Sequence, residues 1–225
     1  MKKEKLKKSS CLYALNYIKE NIIIGIGSGS TLNYFINSIY IFKNIIKAAI
    51  SSSKNSTLKL KKLNIPIFNL NMTKKTDIYI DSSDEINKKM QMIKGGGSAL
   101  TKEKIISINS DKFICILDCT KKINILGNFP LPIEIIPSSK YFIEKQLIKI
   151  GGIPKYRKNI ITENGNIIID IYNMRVKNSI KLEKKINSLP GVITVGLFSI
   201  IKSNITILSF KKKIKIINYE LLNII

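Results

Sequence analysis

Short apolar runs alternate with helix-length stretches over about the first 120 residues, and this alternation constrains the chain more than any other feature. Ile22-Ile23-Ile24-Gly25-Ile26 is an apolar run fit for a buried strand. It ends in Gly27-Ser28-Gly29-Ser30-Thr31, before a helix-like stretch from Leu32 to Ile41. Further strands are expected at Ile45–Ile50, Ile65–Leu70, Asp77–Ile80 and Phe113–Leu117. Helices are expected near Lys54–Lys62 and Leu100–Ile108, with a loop at Lys94-Gly95-Gly96-Gly97. Strands separated by helices imply a mostly parallel sheet covered on both faces.

The texture changes after Phe129-Pro130-Leu131-Pro132. Proline lacks an N–H, so Pro130, Pro132 and Pro137 read as a connection and not as an element interior. A helix at Lys140–Ile150 closes on Gly151-Gly152. Ile160–Glu163 and Asn166–Ile169 flank Asn164-Gly165, the dipeptide favoured in a tight hairpin turn. A helix near Ser179–Leu189 and a strand at Val192–Leu197 follow. The expected division is a larger Rossmann-like domain at residues 1–129, completed by 200–225, and a small α+β domain at 130–199.

Lys plus Arg number 38 against 15 Asp plus Glu, a formal charge of +23. Such a surplus raises a nucleic-acid reading. The basic residues are nearly all Lys and are scattered, and Ile and Asn are abundant too. A/T-rich codons account for all three, and a positive field also helps attract a phosphorylated substrate. Cys11, Cys115 and Cys119 are too few and too irregular for a disulfide framework, and Cys115 and Cys119 read as same-face residues of one strand. The chain has no His, which argues against a transition-metal site. The basic start, Met1–Lys8, lacks a signal peptide's apolar run and reads as an amphipathic helix with Leu6, Leu12, Leu15 and Ile18 inward. No apolar run reaches the roughly 18 residues of a membrane span, so a soluble cytoplasmic protein is expected.

Three clusters carry chemistry. Glycines at 25, 27 and 29, after a strand and before a helix, let backbone N–H groups approach an anion; a tight turn with Ser30 or Thr31 as cap explains them equally well. Asp81-Ser82-Ser83-Asp84-Glu85 sets three carboxylates at the end of an expected strand, where ligand sites lie in open α/β sheets. Lys94-Gly95-Gly96-Gly97-Ser98 combines a cation with backbone free to line a ligand. Taken alone, Glu103 is an ordinary exposed helical glutamate, and Lys121 an ordinary lysine.

In this order and spacing the clusters resemble the ribose-5-phosphate isomerase A family. Further matching stretches are Met90-Gln91-Met92-Ile93-Lys94-Gly95-Gly96-Gly97, Leu100–Lys104, Phe129–Glu134 and Pro190–Phe198. The family commonly carries Asp-Gly-Ala-Asp where this chain has Asp81-Ser82-Ser83-Asp84. The resemblance implies an α/β fold, a doubly wound mostly parallel sheet (Rossmann-like) with a second, smaller α+β domain. It implies interconversion of ribose 5-phosphate and ribulose 5-phosphate through an enediolate, in the non-oxidative branch of the pentose phosphate pathway. Glu103 would be the base, Asp81 and Asp84 would handle hydroxyl protons and ring opening, and Lys94 would offset enediolate charge. Ser28, Gly29, Ser30, Thr31, Ser82, Ser83, Gly95, Gly96, Gly97 and Lys121 would surround the sugar phosphate, with Lys7 on the phosphate side. No metal and no cofactor are implied. The implied partners are the sugar phosphate and a second copy in a homodimer, not nucleic acid or a membrane.

Three rival readings remain at this level. A non-catalytic sugar-phosphate-binding module could use the same fold; the joint presence of Asp81, Asp84, Lys94 and Glu103 argues against it. An amino-sugar deaminase would typically need a catalytic His. A nucleic-acid binder would show steep salt dependence, and no recognition motif supports it.

Overall fold

The computed structural model describes residues 3–219. The first elements are α1 (Lys3–Ala14), β1 (Ile22–Ile26), α2 (Ser30–Ile39), β2 (Ile46–Ser51), α3 (Lys54–Lys62) and β3 (Thr76–Asp81). Then come β4 (Glu85–Ile86), β5 (Met92–Ile93), α4 (Leu100–Ile108), β6 (Ser110–Asp118) and β7 (Leu131–Ile135). The remainder is α5 (Lys140–Lys149), β8 (Ile153–Tyr156), β9 (Ile167–Tyr172), α6 (Ser179–Asn187), β10 (Val192–Val195), β11 (Leu197–Phe198), β12 (Ile205–Ser209) and β13 (Ile214–Asn218). None of the described helices is long and apolar enough to cross a membrane.

The chain forms two compact units. Among the described residues the first comprises 3–82, 102–121 and 203–219, and the second 83–101 and 122–202. Segments 83–101 and 122–129, which a boundary at residue 129 leaves in the first domain, pack within the second unit. Met1, Lys2 and residues 220–225, the end of the expected return to the first domain, lie outside the described residues.

The first unit holds a six-stranded sheet in the order β13-β12-β6-β3-β1-β2, with only β13 antiparallel. Side chains alternate along each strand. Ile24, Ile26, Ile78, Ile80, Ile114 and Ile116 pack with Cys11 and Ala14 of α1 and with Leu32, Phe35, Ile36 and Ile39 of α2. On the opposite face, Gly25 leaves room for Tyr79 and for Ile106 of α4. Burial on both faces is what the near-continuous isoleucine strands require. Because β2 and β3 lie on opposite sides of β1, the strand order reverses there, and ligands bind at such points outside the carboxyl ends of the strands.

Four local expectations for this unit change. Leu12 is 57% exposed, because the buried face of α1 runs through Leu6, Ser10, Cys11 and Ala14, whereas Leu15 is buried and Ile18 packs against the same core as expected. Ile65–Leu70 is not a strand. Pro66 offers no N–H, so the segment bridges β2 only around Ile67, and Asn69 then caps a short turn by accepting from Asn71 N. Cys119 lies past the end of β6 in a short turn, so it does not share a strand with Cys115. Glu103 is 3% exposed, not a surface glutamate. Cys11 is packed and inert in character: burial pushes its thiol up to about 12, and its Sγ donates to Thr31 O at 3.2 Å.

The second unit contains an antiparallel sheet, β10-β7-β9-β8, and a small sheet, β11-β5-β4. Pro132 lies inside β7, contrary to the reading of a connection. Its carbonyl accepts from Gly196 N at 2.7 Å, so its nitrogen faces that same side, where β10 pairing begins only at Ile133. No ladder hydrogen bond is lost there. Pro154 is tolerated because β8 is an edge strand. Residues 160–163 form no strand, since β8 takes the pairing with β9. The Asn164-Gly165 turn is present, with Gly165 at φ +80°, and it is tied inward to Glu134. The expected strand 192–197 breaks at Gly196, where a Cβ would lie 2.3 Å from the Lys94 carbonyl.

Glu134 is fully buried on β7 and accepts from Thr101 Oγ1, from Thr162 Oγ1 at 2.8 Å, and from the side-chain amides of Asn164 and Asn166 at 3.0 and 2.9 Å. Removing a carboxylate that satisfies several buried donors is expensive. Glu134→Ala is expected to lower unfolding free energy by about 2–4 kcal/mol, read from urea melts.

Candidate active site

In the first unit, β1 ends at the glycine loop and β3 ends at Asp81, on neighbouring parallel strands. Gly27 N donates to Ile80 O at 2.9 Å, which draws the loop against the end of β3. The approach is so close that a Cβ on Gly27 would lie 1.9 Å from the Asp81 carboxylate. Gly29, at φ +92°, turns the chain into α2. Ser28 Oγ donates to Glu103 Oε1 at 2.7 Å, so the loop and the buried carboxylate of α4 meet. Lys7 Nζ donates to Ser30 Oγ at 2.7 Å, which brings the amino-terminal helix lysine to the same loop. Thr31 is buried, and Ser30 opens α2. Lys121 is half-buried in a short turn just beyond the carboxyl end of β6.

Asp81 is 1% exposed. Its Oδ1 accepts from Ser82 N at 2.7 Å, and its Oδ2 accepts from the Tyr79 hydroxyl. Tyr79 was not singled out by sequence reasoning. The available signal was its position two residues before Asp81, on the same strand face. Burial raises the Tyr79 hydroxyl well above its ordinary value, and the nearby Asp81 and Glu103 charges add to this. It therefore stays protonated and remains a donor. Ser82 and Ser83 do not adopt positive φ, so the serines fit where the family commonly carries Gly-Ala.

In the second unit, Asp84 Oδ2 accepts from Gly96 N at 2.9 Å. A Cβ on Gly96 would come within 2.9 Å of that carboxylate, so glycine is what permits the contact. Lys94 is 2% exposed, its N donates to Gly196 O at 2.9 Å, and its Nζ lies 5.4 Å from the centre of the Phe198 ring. Gly95, at φ +104°, starts a turn closed by Ser98 N donating to Gly95 O at 3.0 Å. Ser83 is buried. Glu85, the third carboxylate of the acidic cluster, accepts from Gly127 N and Phe129 N at 2.8 and 2.5 Å. Its role is to hold that loop.

Each unit thus carries carboxylate and lysine side chains beside glycine-rich backbone. That is the equipment for moving protons on a small anionic substrate. The sequence model of the family described as ribose 5-phosphate isomerase A (phosphoriboisomerase A) matches residues 48–211. Ribose-5-phosphate isomerase A of Buchnera aphidicola subsp. Acyrthosiphon pisum is 55% identical over 218 residues, covering 97% of this chain and 98% of that protein. The crystal structure of ribose 5 phosphate isomerase A from Neisseria gonorrhoeae superposes with a TM-score of 0.94 at 37% identity, over 96% of this chain and 97% of that one. A D-ribose-5-phosphate isomerase solved in complex with phospho-erythronic acid superposes at 0.92 with 32% identity, over 97% and 100% of the two chains. The α/β architecture, the site chemistry and these matches agree: the chain belongs to the ribose 5-phosphate isomerase A family.

Proposed function

We infer that the chain is an aldose–ketose isomerase that interconverts D-ribose 5-phosphate and D-ribulose 5-phosphate. The reaction removes the C2 proton of the open aldose, forms an enediolate, and returns a proton to C1, while the oxygens exchange one proton. Glu103 is the base that carries the carbon-bound proton. Asp81 and Asp84 handle hydroxyl protons and ring opening, and Lys94 offsets the enediolate charge. Ser28 to Thr31, Ser82, Ser83, Gly95 to Gly97, Lys121 and Lys7 contact the sugar phosphate. The observation that carries this reading is a carboxylate only 3% exposed, Glu103, hydrogen-bonded to the glycine-loop hydroxyl of Ser28. A carboxylate held in place this way is positioned to act as a general base. The same reading has the enzyme working in the cytoplasm as a homodimer, without a metal, in the non-oxidative branch of the pentose phosphate pathway.

The direct test is conversion of ribose 5-phosphate by purified protein in excess chelator. Turnover that survives the chelator supports the scheme, and folded protein without turnover overturns it. Tyr79→Phe keeps the ring that packs 5.0 Å from Phe113 and removes the hydroxyl held by Asp81. A hydrogen bond to a charged group contributes about 1.5–3 kcal/mol, so unfolding free energy is expected to fall by about that much, and kcat roughly tenfold as Asp81 is held less firmly. The ionisable groups beside the hydroxyl are Asp81 on its own strand, Glu103 on α4 and Cys115 on β6.

A further inference from the structure

Of the 38 basic residues, Arg157 and Arg175 are the arginines, and the other 36 are lysines. Arg157 follows β8 within the second unit, and its whole guanidinium is engaged. Nε and Nη2 donate to the two carboxylate oxygens of Asp170 on β9, at 2.8 and 2.5 Å. Nη1 reaches the carbonyls of Gly95 and Gly96, at 3.1 and 3.2 Å, and Ser98 Oγ at 2.8 Å. An ammonium group cannot replace this. It is a compact charge without a planar fork, and cannot grip a carboxylate with two nitrogens while aiming a third at the loop.

The clamp fixes the direction of two peptides. In a trans, planar peptide the N–H points away from the carbonyl. With the Gly95 carbonyl turned to Arg157, the N–H of Gly96 points to the other side, where it donates to Asp84 Oδ2 at 2.9 Å. The Gly96 carbonyl is turned to Arg157 as well, so the N–H of Gly97 points to the side of Asp84. Gly97 is an exposed residue.

We propose that Arg157 is a positioning residue for the isomerisation. By holding the Gly95 and Gly96 carbonyls it fixes Asp84 through Gly96 N–H and presents Gly97 N–H to an oxygen of the sugar phosphate. Asp170 locks the fork from behind. This rests on the isomerase reading above, in which Asp84 and the Gly95–Gly97 backbone act on the substrate.

Arg157→Lys in the full-length protein keeps the charge and loses the fork. Its kcat for ribose 5-phosphate is expected to fall roughly 30-fold, with KM within about threefold. In Arg157→Ala, millimolar guanidinium should restore part of kcat, and methylammonium should not. A kcat unchanged in Arg157→Lys, or a loss recovered equally by methylammonium, overturns the positioning role and leaves the isomerase reading intact. If the Arg157 variants do not fold, Asp170→Asn decides: a kcat reduced severalfold at unchanged KM supports the proposal, and an unchanged kcat overturns it. No turnover by the unmodified, folded protein overturns the isomerase reading itself, and the inference with it.

Discussion

Glu103→Gln is expected to lower kcat by roughly a thousandfold, within the range attributed to a positioned general base. The substitution is nearly isosteric, and the Gln carbonyl can still accept from Ser28 Oγ, which lies 2.7 Å from Glu103 Oε1. What it removes is the capacity to take a proton. KM should therefore change by only a few fold, and thermal stability should hold or rise, since a neutral amide is less costly to bury than a carboxylate. The informative companion measurement is exchange of the substrate's C2 hydrogen with deuterated water. The unmodified protein should catalyse exchange and the variant should lose it in parallel with turnover. A variant that retains more than about a tenth of kcat would assign the carbon-bound proton to another group.

Gly27→Ala is the second large effect, and it arises from collision and not from lost chemistry. A Cβ at position 27 would lie 1.9 Å from Asp81 Cγ and Oδ1. The backbone cannot yield easily, because Gly27 N is bonded to Ile80 O at 2.9 Å. Asp81 must rotate away, giving up its bonds from Tyr79 and Ser82 N. Two bonds to a buried carboxylate make the expected destabilisation about 2–4 kcal/mol. The displaced carboxylate should cost kcat at least about a hundredfold. Gly29→Ala separates conformational strain from collision. A Cβ there meets no atom within 4 Å, but φ is +92°, so a penalty of about 1–2 kcal/mol is expected with Asp81 left in place. Urea midpoints and kcat for the pair check both halves: equal losses of kcat in the two variants would refute the collision.

Much of the fold was legible because it is written in local periodicity. The isoleucine runs at Ile22–Ile26 and Asp77–Ile80 sit in the parallel strands they predict, and the Lys54–Lys62 and Leu100–Ile108 stretches form helices with those bounds. The glycine loop, the Asp81–Glu85 cluster and the Lys94–Gly97 loop were visible as residue types that ordinary packing does not require. Local reading failed where a distant neighbour decided the outcome. Pro132 joins a strand because β10 leaves no ladder acceptor opposite its nitrogen. Residues 160–163 are excluded from the β9 ladder because β8 occupies it and Glu134 draws the Asn164-Gly165 turn inward.

The sequence by itself determined which chemistry is available: carboxylates, lysines and flexible backbone at the ends of apolar strands, with no histidine. Only the tertiary structure decided how that chemistry is deployed. Glu103 reads as a surface residue until α4 covers the sheet and buries it, and Glu85 reads as a third acid until the loop at Gly127 and Phe129 claims it. Tyr79 and Arg157 show no motif at all, and their roles come from the Asp81 carboxylate and the Gly95–Ser98 turn they hold. The physical reason is the same in each case. Periodicity and backbone preference are properties of adjacent residues, whereas burial and hydrogen-bond partnership are set by strand order and by packing across long stretches of chain.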